Sequence, residues 1–379
     1  MVNENGQNWH FLRSHLTPPL TSPATLKHYA SHMDNIAQDL VNLIRHVKDG
    51  NSIVHNFKEM IYKTGLEAVC MVALERRMGF LEPSLGFSTQ KIINCVTGFQ
   101  ESSSQLMYGL PFWKYLPSRF SSFFSNLMYC KDYLFQTFSL IVDETLAMND
   151  MENDCNPDSI LNSLLNVKDV EVKDVKASVV DYITAGMDTI GNSMIFLIAN
   201  LAKNPHVQTK LQEELDKILP NRSDVVPDKL RELVYLKACV MESFRLFPTA
   251  SQIARITEHD ITLSNGALLP AHSVVLCHHR IAALQEDNFT RASEFIPERW
   301  LPNDQCAESL PRHTQSLVLP FGSGKRMCPG KRLAEQELYI IAAKLFQNFN
   351  IELTENLELE FNYLLTPAGP IGLKLTERD

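Results

Sequence analysis

Apolar positions recur at helical spacing through most of the first 250 residues. The pattern predicts helices over Leu26–Lys48, Ser52–Leu74, Gly86–Met107 and Asp132–Asn149. A very long one follows over Val170–Lys203, ended by Pro205, then His206–Leu219 and Leu236–Phe247, the last stopped by Pro248. Two stretches interrupt the periodicity. "YGLPFWKYLPSRF" carries Pro111 and Pro117 and exposes Phe112 and Trp113, and "NDMENDCNPDS" reads as a polar loop. After Phe247 the character changes. Short β-branched runs surround the turn signal Asn265-Gly266, and the C-terminal "IELTENLELEFNYLLTPAGPIGLKLTE" is strand-like as well. No internal repeat or low-complexity segment breaks the chain. The expectation is a mainly α protein with small β-sheets, read as one unit over residues 1–379.

Composition narrows the function classes. Hydrophobic residues make up 45% of the chain, ample for a large core. Asp plus Glu total 44 against 35 Lys plus Arg, a net charge of -9, which argues against a nucleic-acid partner. The 8 cysteines are scattered with no CxxC pair, so neither a zinc site nor a disulfide framework is expected. No apolar run approaches the roughly 20 residues of a membrane span. The opening "MVNENGQNWHFLRSHL" resembles neither a signal nor a transit peptide.

The densest chemistry lies in "PFGSGKRMCPGKRLAEQE", Pro320–Glu337. Pro329 suits a first helical position, and Leu333, Leu338, Ile341, Ala342, Leu345 and Phe349 follow at helical spacing. Cys328 is then expected at the N-cap, where orphan N–H groups and the helix dipole favour a thiolate. Gly322 and Gly324 allow a tight turn close to something flat or bulky. A phosphate loop is excluded, because Gly324-Lys325 is followed by Arg326 rather than Ser or Thr. Three roles stay open on the loop alone: a nucleophile with a distant His or Asn, a haem-iron ligand, and a buried structural cysteine.

The loop "FGSGKRMCPG" resembles the ligand loop F-x-x-G-x-R-x-C-x-G of the cytochrome P450 family, with Phe321, Gly324, Arg326, Cys328 and Gly330 matching. Three more motifs match in the family's order. Glu242-Ser-Phe-Arg245 is similar to E-x-x-R, joined by Arg299 of "FIPERW", where Trp300 stands for the usual Phe. Ala185-Gly186-Met187-Asp188-Thr189 resembles the oxygen-site motif of the long helix, with Ile190 where a second hydroxyl is common. Trp9 and Arg13 resemble the family's W-x-x-x-R. The resemblance implies haem b (iron protoporphyrin IX), with Cys328 as the iron ligand. It implies Trp9, Arg13, Arg255 and Arg326 around the propionates and Phe321 against the ring. Asp188 and Thr189 are implied to serve dioxygen with protons, where the helix opens to make room. Glu242, Arg245 and Arg299 are implied to form a buried triad. A distal pocket is implied from Ile183, Ala185, Ala250, Ile253 and Leu365, with Ser251 and Thr366 beside them.

"YGLPFWKYLPSRF" resembles the segment between the F and G helices of the mitochondrial branch, "LKACVMESFRLFP" and Lys331-Arg332 resemble that branch as well, and within it the arthropod ecdysteroid-making hydroxylases. That implies a lipophilic sterol or steroid substrate, peripheral membrane contact and the matrix side of the mitochondrial inner membrane. Lys237, Lys331 and Arg332, with Lys325, would then form a docking face for a ferredoxin-type electron donor. The alternative is a microsomal flavoprotein reductase at the endoplasmic reticulum. Met241 departs from the branch, which commonly has lysine there. The resemblance begins at the family's C helix, so the chain is expected to lack the first helices and much of the main sheet. A non-catalytic, haem-binding truncated form is therefore the alternative to an active monooxygenase.

Overall fold

The computed structural model describes residues 4–84, 86–108, 122–152, 158–301, 312–362 and 364–378. Helices dominate them. α1 (Gly6–Leu16), α2 (Pro18–Thr21), α3 (Pro23–Val47), α4 (Phe57–Leu74), α5 (Phe87–Tyr108), α6 (Ser122–Glu152) and α7 (Ile160–Leu165) come first. Then follow α8 (Val172–Lys203), α9 (Pro205–Ile218), α10 (Pro227–Glu232), α11 (Val234–Leu246), α12 (His279–Ala283), α13 (Arg312–Gln315) and α14 (Lys331–Asn348). Proline starts several of them, at the position where its missing N–H costs nothing. The regularity of the apolar spacing thus survives folding, with most ends shifted by a few residues. The Pro111–Pro117 break with Phe112 and Trp113 lies outside the described residues.

The strands are short. β1 (Ile53–Val54), β9 (Leu373–Glu377) and β6 (Phe349–Leu353) form one antiparallel sheet in the order β1-β9-β6. β2 (Ile253–Ile256) pairs with β5 (Val274–Cys277), β3 (Ile261–Thr262) with β4 (Leu268–Leu269), and β7 (Leu359–Asn362) with β8 (Leu364–Pro367). Asn265-Gly266 turns the β3–β4 hairpin, Gly266 at φ 85.

The structure corrects two helix starts here. The helix expected from Asp132 begins at Ser122. The expected helix from Ser52 begins only at Phe57, and Ile53 and Val54 are a strand paired with Lys374 and Leu373. The reason is local. The Asp49 carboxylate accepts the N–H groups of Asn51 and Ile53 and closes a turn, in which Ser52 takes φ 62.

α8 is the axis of the molecule. Its 32 residues span roughly 48 Å. From Ile190 to Ala202 nearly every side chain is buried, because α4, α11, α14 and β6 pack around it. α4 runs so close that a β-carbon on Gly186 would overlap Val69, and one on Gly191 would overlap the Tyr62 ring. α14 lies against α3, where Lys344 pairs with Asp34 at 2.9 Å, both buried. Among the described residues no helix is long and apolar enough to cross a membrane.

Candidate active site

Cys328 sits in a reversed loop. Its N–H bonds to the Phe321 carbonyl at 2.9 Å, and the Met327 N–H to the Gly324 carbonyl at 3.0 Å. Gly322 (φ 72) and Gly324 (φ 73) occupy left-handed backbone, which other residues adopt only under strain. Phe321 folds back on the core and meets Phe244 of α11 edge-on, with centroids 5.3 Å apart. Ile253 of β2 approaches the open side of Gly322.

The N-cap expectation for Cys328 is corrected. Gly330 caps α14, which starts at Lys331, two residues later than Pro329 suggested. The sulfur still accepts from the backbone N–H groups of Gly330 and Lys331. Burial nonetheless dominates and pushes the free thiol up, against those two bonds and the Arg13 charge. The loop fixes the sulfur in place; a cation at that sulfur is what would make it a thiolate.

Three guanidinium groups gather over this loop. Arg13 of α1 donates to the Met327 carbonyl at 2.5 Å, and Arg255 of β2 to the Ser323 carbonyl at 3.0 Å. Arg326 donates to the Glu4 carbonyl and the Asn5 side chain, each at 3.0 Å, and lies 3.8 Å over the Trp9 ring. The charges of Arg255 and Arg13, after burial, hold Arg326 below the usual guanidinium range. Among the described residues none of the three meets a carboxylate side chain. Three mutually repelling cations with only carbonyl partners make a site for a di-anion.

Tyr182 donates to the Leu16 carbonyl at 3.3 Å and feels the Arg13 charge, which ties α8 through α1 to the loop. Ala185 is exposed between the buried Thr184 and Met187 of α8, so open space lies beside it. Asp188 and Thr189 are partly buried beside it. The Thr189 hydroxyl donates to the Ala185 carbonyl at 2.7 Å. The expected opening of the helix here is absent: α8 runs uninterrupted, and Thr189 closes its own turn. Asp188 is pushed up to about 6 by burial, opposed by Lys58 and reinforced by Glu101.

Ser193 of α8 meets Thr249 at 3.0 Å, and the Leu365 N–H bonds to the Thr249 carbonyl at 2.8 Å, so the segments that hold the expected pocket residues Ala250 and Leu365 pack against α8 about two turns beyond Ala185. Ser251 and Thr366 are partly buried in the same two segments. Ile183 does not join them. Two residues along an α-helix turn about 200°, and Ile183 is fully buried in the core on the far side from Ala185.

The triad is assembled and fully buried. Glu242 takes a fork from Arg245, 2.9 Å on each oxygen, and Arg299 at 3.2 Å. Arg245 also donates to the carbonyls of Ala283, Ala292 and Glu294. Trp300 adds an indole N–H to Glu242 at 2.9 Å, which the usual Phe could not do. The hydrogen-bonding value of that substitution was hidden in the sequence.

Lys237, Lys331 and Arg332 do come together. All three charges act on Glu335, one turn into α14, which burial nonetheless raises. Lys331 is 3.9 Å from Glu335, Lys237 donates to the Arg231 carbonyl, and Arg332 to the Thr21 carbonyl. Glu335 in the centre of the basic patch was not foreseen.

With this geometry in view, the comparisons decide the family. The cytochrome P450 family model matches residues 1–375. The chain belongs to the cytochrome P450 family. Haem b is that family's cofactor and monooxygenation its chemistry. The chain is 35% identical to "Ecdysone 20-monooxygenase" of Drosophila melanogaster over all of its own length and 71% of that protein. It is 31% identical to "Probable cytochrome P450 12a5, mitochondrial" of the same species, covering 72% of it. It is also 25% identical to the mouse "1,25-dihydroxyvitamin D(3) 24-hydroxylase, mitochondrial", over 98% of this chain and 71% of that protein. As a P450, the chain has a use for these features: a sulfur held in a tight loop, cations beside that loop, and a hydroxyl and a carboxyl in the middle of α8.

Proposed function

We propose that this P450 hydroxylates a sterol or steroid, with Cys328 as the thiolate ligand of its haem iron and a ferredoxin-type protein as electron donor. The observation that carries the haem-site assignment is the cluster of Arg13, Arg255 and Arg326 beside the Cys328 loop, cationic and without a carboxylate. Two propionates supply what those groups lack. Trp9 and Phe321 offer the ring flat apolar contact. Bound there, haem supplies the activation of dioxygen. The protein's part is to hold the substrate against Ala185, Ala250, Ile253 and Leu365, and to keep a hydroxyl and a proton at Thr189 and Asp188.

The substrate class rests on relatives whose printed names are those of an ecdysone and a vitamin D hydroxylase, and on the apolar side chains of the pocket. The two relatives cited above whose names read mitochondrial support a mitochondrial setting. The patch of Lys237, Lys331 and Arg332 suits an acidic partner.

The test is the absorption spectrum of the reduced, carbon-monoxide-bound protein. A thiolate-ligated haem gives a strongly red-shifted Soret band, and Cys328→Ala is expected to abolish it. Persistence of that band in the variant would overturn the ligand assignment. Turnover of a sterol with ferredoxin, and none with a microsomal flavoprotein reductase, is the expected partner result; the reverse would reject the mitochondrial reading.

A further inference from the structure

Between α8 and the Cys328 loop runs the short segment Thr249–Ile253, and each of its ends is fastened. At the α8 end Ser193, one turn beyond Thr189, donates its hydroxyl proton to the Thr189 carbonyl at 2.7 Å. Its oxygen lies 3.0 Å from the hydroxyl of the buried Thr249. With the Ser193 proton already committed, Thr249 is the donor of that bond. Phe196, less than one turn further along α8, stacks on Phe247 with centroids 5.5 Å apart and supports the same end. At the loop end the Ile253 side chain comes within 4.0 Å of the place a β-carbon on Gly322 would take. Arg255, two residues on, donates to the Ser323 carbonyl at 3.0 Å. In between, the His279 ring N–H of α12 holds the Ala250 carbonyl at 2.7 Å, and the Thr249 carbonyl accepts the Leu365 N–H at 2.8 Å. Four Cα steps span at most about 14 Å, so the segment is a strut of limited length from the hydroxyl face of α8 to the cysteine loop.

We propose that Ser193 and Thr249 are a positioning pair for the monooxygenase reaction: their hydroxyl–hydroxyl bond fixes the height of the space between Thr189 and the Cys328 sulfur, and with it the bulk of the group admitted there. A serine that only bonds back to the carbonyl four residues earlier satisfies itself within its own helix. The second bond is different. It reaches a residue 56 positions away, at the point where α8, β8 and α12 are tied together. Pro248 fixes its own φ just before Thr249, so the strut is stiff where it meets α8. The Thr189 peptide is in turn held from both sides. Its hydroxyl donates to the Ala185 carbonyl at 2.7 Å, and its carbonyl accepts from Ser193. The pair therefore sets Thr189, Ala250 and Ile253 relative to the loop in one step. Without the Thr249 hydroxyl the strut keeps its hold on the Cys328 loop and slackens at α8. The space then becomes taller and discriminates less by size.

The use of that space rests on the haem-site reading, but the strut does not, and the test separates them. Imidazole and 4-phenylimidazole both bind a ferric haem iron through a ring nitrogen and differ in the bulk that must fit above it. Each is titrated by its Soret shift on the haem-loaded protein. Thr249→Val keeps the shape of the side chain and deletes the donor, and Ser193→Ala deletes the acceptor. Both are expected to move the affinity ratio of the two ligands in favour of 4-phenylimidazole by roughly 3- to 10-fold, the range that one net hydrogen bond spans. Thr249→Ser keeps the donor and is expected to keep the wild-type ratio, a rescue that a general loss of stability would not show. Hydrogen exchange at the Leu365 amide, read on the same proteins, needs no haem and is expected to be faster in Thr249→Val and Ser193→Ala than in wild type. An unchanged ratio in both variants, or exchange at Leu365 no faster than in wild type, overturns the proposal. If imidazole shifts no Soret band in the wild type, the haem-site reading fails, and the Leu365 exchange alone then decides the strut.

Discussion

Thr189 is already committed to a hydrogen bond. Its hydroxyl donates to the Ala185 carbonyl, with Gly186 a longer second acceptor, so its oxygen is left facing the open side as an acceptor. Thr189→Ala removes both capacities without disturbing apolar contacts. The expected outcome is unchanged haem and substrate binding, with a larger share of electrons ending in hydrogen peroxide, measured as peroxide against product; Thr189→Ser should stay close to wild type. Glu337 behaves differently. It is fully buried on α14, one carboxyl oxygen has no hydrogen-bond partner, and burial alone pushes it up to about 8. Between about pH 4.5 and 8 the folded chain keeps that proton while the unfolded chain has lost it, so this group's contribution makes stability fall as pH rises through the window. Glu337→Gln is expected to be the more stable protein at pH 8, by roughly 3–5 kcal/mol as an upper bound, and equal to wild type near pH 4. Urea unfolding at both pH values checks it; a pH-independent difference would reject burial as the cause.

At the scale of elements, α4 crosses α8 through Gly186 and Gly191, where a methyl group has no room. Gly186→Ala is expected to destabilise by roughly 1–3 kcal/mol, the usual cost of overpacking. Val69→Ala should recover part of it, so a double-mutant cycle reads the contact. The triad segment carries a second expectation. Glu242→Gln would leave two buried guanidinium groups short of an anion, with a cost of about 3–5 kcal/mol in thermal or urea unfolding. Most of this frame was legible from periodicity: α3, α5, α8, α9 and α11 were read within a few residues. What misled was capping. Ser52–Asn56 has helical apolar spacing, but the Asp49 side chain diverts its N–H groups. Pro329 looks like a helix start, but Gly330 takes the cap. The motif residues were legible because each motif is local. Their supports were not: Trp300 acts across 58 positions and Glu335 sits at a patch's centre, 98 positions from Lys237, and no sequence spacing announces them.

For the whole molecule the net charge is -9, so an acidic ferredoxin would be repelled on average and must be steered by a local patch. Lys237, Lys331 and Arg332 form such a patch, but Glu335 lies within it and offsets part of its charge. This makes the docking reading testable in both directions. Charge reversal at Lys331 and Arg332 is expected to slow reduction by ferredoxin and leave substrate affinity unchanged. Glu335→Gln removes the internal negative charge and is expected to speed it. Met241→Lys adds a cation where Met241 is only partly buried against the core, so the chain of a lysine can keep that contact and reach water; it should also tighten the complex. Each effect should shrink as salt rises, because the screening length falls from about 10 Å at 0.1 M to about 3 Å at 1 M. Stopped-flow reduction at several ionic strengths measures all four. If Glu335→Gln and the charge reversals change the rate in the same direction, steering by this patch is wrong, whereas opposite changes that vanish together in high salt place the donor on this face of α11 and α14.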